Sequence, residues 1–503
     1  NGKGENDPAF SARDRINRAP KSLGFVVLSP RISITPAGQA LLTSKRKEEV
    51  FLRQMLKFQI PSPYHKPTAK AASFWVKPYL ELLRLVRTMG TLKFDELQIF
   101  GMQLTDWRNF ENIVQKIEAF RIAKVEHQGS YKAFKAEYLR NELTRIFEER
   151  IMNGETQTRE SSDASLDKFL RTQSSNMRDY ADACFRYLRA TGLVNVSHVG
   201  KSLSIVPERI EDVDYLLQTI DRSPCFIDNE KDYIEYLGNA TVPQLLTDDR
   251  QKLVAKLHAE FPQVVFNQEV EISELKDLLA DLTEQRKTDT LSRQVVEIKD
   301  YKLYDDIQNT FKQIENKELY DAPLMLEWNT WRAMTMLDGG EIKANLNFDD
   351  FGKPLSTAQG NMADIVCDYG DYMLIVEVTM ASGQKQYDME GEPVSRHLGK
   401  MKKTSGKPCY CLFIAPTINE ACIAHFYTLH RTNISYYGGK STIIPLSLNV
   451  FQKMLEDSYK VNYIPDSHQV RRFLEHSNEL VKNCTDENHW FEEINKSAVN
   501  WLR

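Results

Sequence analysis

No stretch of the 503-residue chain carries the roughly 20 uninterrupted apolar residues that a helical bilayer span requires, so no membrane partner is expected. The opening NGKGENDPAF has no apolar h-region, so no signal peptide is expected either. No CxxC, HxH or HExxH occurs, which removes the usual Cys- and His-based metal motifs. Walker A, GxGxxG and GxSxG are also missing, so ATP hydrolysis, dinucleotide binding and hydrolase-elbow chemistry have no support. There is no long Gly/Ser-rich or Pro-rich linker and no fixed-period repeat, so domains that pack on one another are expected.

Seven cysteines are scattered at 184, 225, 367, 409, 411, 422 and 484. An odd, unpaired set fits a reducing cytosol. Cys409 and Cys411 alternate along PCYCLFIAP and read as small buried apolar residues of one strand face.

Charge is sparse in sum and uneven in place. The net value is -5, yet residues 1–100 hold 17 Lys and Arg against 8 Asp and Glu, and residues 201–300 hold 12 against 21. A basic N-terminal region is the electrostatic footprint of a polyanion partner. A length of 503 residues suits about three domains.

Within LGFVVLSPRISITPAGQALLTSKR, the spacing predicts strands at 23–28 and 32–34 around Ser29-Pro30-Arg31. Thr35 is placed to N-cap a helix with Pro36 at its first position, and a further helix is expected over 48–58. Residues 165–190 have helical spacing, stopped by Thr191-Gly192, and LVNV and SLSIV follow as a hairpin. Helix, Gly stop and short hairpin is the tail of a winged helix-turn-helix. Between these segments, KPYLELLRLVRTMGTLKFDELQIFGMQL reads as helix, short turn, helix. About two winged-helix-like units are therefore expected in residues 1–210. Residues 211–320 read as an acidic, mostly helical linker, with a leucine spacing in EISELKDLLADLTEQRK suited to helix packing.

From residue 321 the pattern becomes α-β-β-α-β-α-β. A helix at 324–336 and a Gly/Asn/Asp-rich loop precede strands at 363–368 and 372–379. A helix at 389–404, a strand at 409–414, a helix at 417–430 and a strand at 442–446 follow. The predicted class is thus multidomain, α+β and α/β, with a C-terminal mixed sheet flanked by helices over residues 321–503.

Asp364 opens the first strand of the hairpin MADIVCDYGDYMLIVEVT and Glu377 lies near the end of the second. Antiparallel pairing brings both carboxylates to one sheet edge, among IVC and LIV. Burying two like charges there is expensive, and a divalent cation relieves both penalties; hard oxygen ligands suit Mg2+. Glu327 on the preceding helix and Glu390, thirteen residues past Glu377, are the further acids in reach, with Glu392 beyond.

Asp364 with Glu377-Val378-Thr379 resembles a variant of the PD-(D/E)xK nuclease motif. The segments GNMADIV, VEVTMASGQKQYDMEGEPVSRH, CYCLFIAP and IIPLSL resemble the AlwI-type family of Type IIS restriction and site-specific nicking endonucleases. So do AFSARDRINRAPKSLGFV, RISITPAGQAL, VFLRQMLKFQIPSP and MRDYADACFRYLRATGL near the N-terminus. The resemblance implies an N-terminal winged-helix recognition region, a linker and a C-terminal catalytic domain. It implies cleavage of double-stranded DNA a few base pairs from a short asymmetric site, a bacterial cytoplasmic setting and a cognate methyltransferase. Asp364 and Glu377 would ligate Mg2+, with Glu327 as the acid from the preceding helix and Glu390 as the fourth acid. Met362-Ala363 replaces the Pro before Asp364, and Thr379 replaces the usual Lys, whose role would fall to Glu390, Lys385 or Gln386.

Candidate phosphate contacts are Arg13, Arg15, Arg18, Lys45, Arg46, Lys47, Arg84, Arg87 and Arg178. His397 reads as a capping or solvated residue, and Arg396 has the better charge for a phosphate. The acidic linker is expected to be repelled by the duplex and to hold the catalytic domain off until recognition. A winged-helix regulator without nuclease activity is the main alternative, and a PD-(D/E)xK repair or recombination enzyme is a second. One site of this kind cuts one strand, so second-strand cleavage calls for a transient homodimer or a small nuclease subunit.

Overall fold

Thr35 and Pro36 start the first helix as their chemistry dictates. In the computed structural model, which describes residues 19–64, 74–158, 161–337, 340–357, 360–461 and 465–502, the Thr35 hydroxyl accepts the Gly38 N–H at 3.0 Å. That cap opens α1 (Pro36–Thr43), after the antiparallel pair β1 (Val26–Val27) and β2 (Ser33–Ile34). The chain forms two compact units, residues 1–282 and 283–503.

In the first unit, α2 (Lys47–Lys57) is followed by α3 (Pro78–Met89), which stops at Gly90 with φ 69°. The expected short turn after it is instead a strand, β3 (Thr91–Lys93), ahead of α4 (Phe94–Ile99). Three residues are too few for alternation to be seen in sequence. Helices α5 (Phe110–Glu126), α6 (Tyr131–Ile146) and α7 (Glu148–Met152) come next. Ser165 then caps α8 (Leu166–Arg189), which buries Phe169, Leu170, Ala181, Phe185 and Leu188. Gly192 (φ 69°) turns the chain into the hairpin β4 (Val194–Ser197) and β5 (Ser202–Ile205). β3 joins that hairpin to give an antiparallel sheet of order β3-β5-β4. α9 (Ile210–Thr219), α10 (Glu230–Gly238), α11 (Arg250–Glu260) and α12 (Ile272–Lys299) follow, the last crossing the boundary between units. Leu253 and Leu257 of α11 pack with Leu275 and Leu279 of α12, as the leucine spacing predicts.

The second unit opens with α13 (Tyr304–Glu315) and α14 (Ala322–Met336). The expected Gly/Asn/Asp-rich loop instead contains β6 (Glu341–Ala344) and the small hairpin β7 (Leu346–Phe348) and β8 (Pro354–Thr357). β6 is an edge strand with Glu341 and Lys343 exposed, so it carries no apolar run to announce it. β9 (Ile365–Asp368), β10 (Met373–Val378), β11 (Cys409–Ala415) and β12 (Ile443–Ser447) complete a five-stranded mixed sheet of order β12-β11-β10-β9-β6. β6, β9 and β10 pair antiparallel, whereas β10, β11 and β12 pair parallel. The parallel connections run through α15 (Gln384–Ser405) and α16 (Glu420–Arg431). α17 (Leu448–Lys460), α18 (Ser467–Leu480) and α19 (Glu487–Val499) finish the unit. α15 begins five residues before the expected position 389. Its first turn exposes Gln384, Lys385, Tyr387 and Asp388, which leaves no apolar stripe to read. Cys409 and Cys411 are buried in β11 as free thiols, and no helix of the described residues is long and apolar enough to cross a membrane.

Candidate active site

β9 and β10 pair with Ile365 opposite Val376, so Asp364 and Glu377 stand one step further out, at the open end of the hairpin. Each carboxylate is anchored by the other strand. Asp364 Oδ2 accepts the Val378 N–H at 2.8 Å, and the Glu377 carboxylate receives the Asp364 N–H. Glu377 is only 5% exposed, although its neighbours along β10 are all apolar. Antiparallel pairing of β9 and β10 thus brings the two carboxylates to one sheet edge, as expected.

Four acids interact here. Burial, then Asp364, Asp321, Glu377 and Glu390, drives the Glu327 carboxyl far above the ordinary carboxylate range. Burial and the neighbouring Glu377 raise Asp364, with only the Val378 N–H opposing. Burial and Glu390 raise Glu377. Glu390 is raised by burial, while a hydrogen bond to Thr379 pulls it partly back. The common cause is the one expected for carboxyls crowded in a poorly solvated place without a matching cation. Glu392 is not part of this group: it is exposed and pairs with Arg396 at 3.2 Å.

His397 is the residue that sequence reasoning misplaced. It is neither a cap nor solvated: its Nδ1 lies 2.8 Å from Glu377 Oε1. Burial, with Arg396 and Lys400 nearby, lowers the imidazole pKa. With the carboxyl driven towards protonation and the imidazole towards neutrality, one proton suffices for this bond. The signal available in sequence was a spacing of seven, two helical turns, from Glu390 to His397, which puts both on one face of α15.

The structure also sorts the residues expected to stand in for the missing Lys. Gln386 is fully buried and committed to the backbone, donating to Ala381 and Thr417 carbonyls at 2.9 Å and accepting from Asn419 N–H at 2.7 Å. Lys385 is exposed on the first turn of α15. Thr379 accepts the Ala381 N–H at 3.0 Å and meets Glu390, so it links the strand end to the fourth acid. Arg396 donates to Asn361 Oδ1 at 2.8 Å and Lys400 reaches the Asn361 carbonyl at 3.4 Å, which fastens the turn leading into Asp364.

Among the described residues no three His, Cys, Asp or Glu side chains converge closely enough to hold a metal ion. The donor set nonetheless has the chemistry of a hard-cation site. Its oxygens are carboxylate, anchored by backbone N–H groups, and short of positive charge.

The candidate phosphate contacts separate into three groups. Arg13, Arg15 and Arg18 lie outside the described residues. Four others are paired within the first unit. Lys45 meets Asp281 at 3.2 Å, and Arg46 bonds Asp277 and the Ser273 carbonyl. Arg84 pairs with Glu81 and Glu111 at 3.3 Å and covers the Phe110 ring; Arg87 grips Asp214 at 2.7 and 3.0 Å. Lys47 and Arg178 are exposed. Acids of residues 211–281 thus hold Lys45, Arg46 and Arg87, while Arg84 is held by Glu81 and Glu111, a pairing that composition alone does not show.

A model of the family described as AlwI restriction endonuclease matches residues 21–454. Among solved structures, the small subunit of the heterodimeric restriction endonuclease BspD6I is similar, with 24% identity, 39% of this chain and 95% of that chain covered, and a TM-score of 0.32. Restriction endonuclease FokI is similar at 12% identity over 92% of this chain and 82% of that one, with a TM-score of 0.24. No curated protein matches the chain.

Proposed function

This chain belongs to the AlwI restriction endonuclease family and is a Type II site-specific deoxyribonuclease, and from that premise we propose that Asp364, Glu377, Glu327 and Glu390 form its hydrolytic centre. The observation that carries this reading is the anchored Asp364–Glu377 pair, Glu377 buried and Asp364 half-buried, whose carboxyls are both held well above the usual range by desolvation and by neighbouring acids despite Arg396 nearby. Buried acids in that condition are costly to a fold, and their retention points to function.

Asp364 and Glu377, with Glu327, would hold Mg2+, which when bound polarises a phosphodiester and makes an attacking water more acidic. The chain's own residues supply position. The Val378 N–H fixes the Asp364 carboxylate, and His397 fixes the rotamer of Glu377. Thr379 holds Glu390 at the same strand end, in place of a lysine. The substrate in this reading is double-stranded DNA bearing a short asymmetric site, cut a few base pairs to one side. Residues 1–210 serve as the winged-helix recognition region, residues 211–320 as linker and residues 321–503 as nuclease. The first unit supports that assignment with a helix, a Gly stop and a hairpin joined by a third strand. One hydrolytic centre per chain cuts one strand, so double-strand cleavage requires a second centre from a homodimer or a small partner subunit.

The test is a time course on supercoiled plasmid with Mg2+, beside EDTA and Asp364→Ala controls. Open circles that accumulate and persist indicate a nicking enzyme or a subunit without its partner. A linear product indicates two centres acting together. DNA binding without Mg2+-dependent cutting, on plasmids of varied sequence, would overturn the proposal in favour of a regulator.

A further inference from the structure

The proposed function leaves open which side chains read the sequence. Helix α8 precedes the β4–β5 hairpin, the placement in which a helix enters the major groove and uses its N-terminal half on base edges. Its buried side is set by Phe169, Leu170, Ala181, Phe185 and Leu188. Away from it, Arg171, Ser175 and Arg178 fall at intervals of four and three, on one face, and all three are exposed.

What marks these arginines is the lack of internal employment. Arg46, Arg84 and Arg87 are engaged by carboxylates. On α8 itself, Arg186 is paired with Asp182 one turn below it. The side chain of neither Arg171 nor Arg178 makes a hydrogen bond or ion pair with any described residue. Two free guanidinium groups on the exposed face of a helix in a DNA-cutting chain are complementary to the duplex. Their forked donors match the O6 and N7 acceptors of guanine as well as phosphate oxygens, and it is their place on the helix before the hairpin that aims them at base edges.

We propose that Arg171 and Arg178 are specificity-determining residues that each recognise a guanine in the major groove, while Arg84 and Arg87 serve the fold. This rests on the endonuclease reading above. Seven residues of helix advance about 10 Å, which corresponds to roughly three base pairs at about 3.4 Å each. The recognition site therefore contains two guanines about three base pairs apart, on either strand.

The experiment is cleavage of a randomised duplex library by the full chain with Mg2+, with the cut products sequenced, for wild type, Arg171→Lys and Arg178→Lys. Lysine keeps the charge and the exposed position but loses the bidentate fork, so folding is preserved and the two roles separate. The expected result is that each variant loses preference at one guanine by roughly 5- to 150-fold, with the other positions and the salt dependence of binding retained. Unchanged preference in both variants overturns the proposal. Uniform weakening on all sequences also overturns it, because that is the behaviour of a phosphate contact. If wild type itself cuts no library member, the endonuclease reading has failed, and this outcome is distinct from specific cutting that the variants leave unaltered.

Discussion

Two clusters of buried charge in this molecule obey opposite rules. In the first unit, Glu49 and Asp248 meet Arg53 and Lys276, with Arg53–Glu49 at 2.7 Å, Arg53–Asp248 at 2.8 Å and Lys276–Glu49 at 2.9 Å. Burial pushes both carboxyls up, but the two cations, joined at Asp248 by the Leu245 N–H, outweigh it and leave both pKa values lowered. In the second unit, Glu327, Asp364, Glu377 and Glu390 are crowded together, and all four are raised. The first cluster is architecture: every charge is matched where it lies, and the matching ties α2 to α12 and to residue 248. In the second, Arg396 and His397 offset burial and repulsion only in part, and crowded acids in that condition mark a candidate functional site.

Substitutions sharpen this contrast from opposite ends. The largest effect is expected on activity: Asp364→Ala should cut the rate of plasmid cleavage by roughly 10²–10³-fold or more. Fully retained cleavage would remove the acidic cluster from the reaction.

Stability should respond with opposite signs. Asp248→Ala leaves Arg53 and Lys276 to share the single carboxylate of Glu49 and should cost about 2–4 kcal/mol in denaturant unfolding of the metal-free chain. Glu377→Gln relieves repulsion and should leave stability unchanged or raise it by about 1–2 kcal/mol, with activity lost. If both destabilise equally, the contrast between the clusters fails.

The pH dependence follows the same division. The contribution of Glu49 and Asp248 is present above about pH 4 and is lost as pH falls through their lowered folded-state values. That of Asp364 and Glu377 is fully present below about pH 4 and is lost as pH rises through their raised values. Metal-free stability of wild type, Asp248→Asn and Glu377→Gln from about pH 2 to about pH 8 spans both windows and resolves the two slopes; slopes of one sign would refute the assignment.

Two smaller effects complete the series. His397→Ala should lower kcat by about 10–100-fold while DNA affinity stays level, because the histidine acts through Glu377. A matching loss in affinity would mean that it touches DNA instead. Arg87→Ala, at an exposed pair with Asp214, should cost less than about 1 kcal/mol in the same unfolding measurement.

Much of the local structure was legible because its signals are local. The Thr35 cap with Pro36, the Ser165 cap, the Gly192 stop and the Asp364–Glu377 hairpin edge each depend on a few adjacent residues and on fixed strand or helix periods. β3 and β6 were hidden because a short or charged edge strand is defined by its partner, β5 or β9, and not by its own pattern. His397 was misplaced for a similar reason: spacing puts it on the face of Glu390, but only packing of α15 on the sheet brings it to Glu377.

The sequence by itself determined the periodic elements, the pair of acids sharing a sheet edge and the uneven distribution of charge. Tertiary structure alone decided which charges are spent. Lys45, Arg46, Arg84 and Arg87 look alike in sequence to Arg171 and Arg178, and only the fold gives the first four their distant carboxylate partners Asp281, Asp277, Glu111 and Asp214. The reason is physical: a helix or strand is written in contacts between neighbours along the chain, whereas the fate of a charge depends on what arrives within about 4 Å from residues far away in sequence.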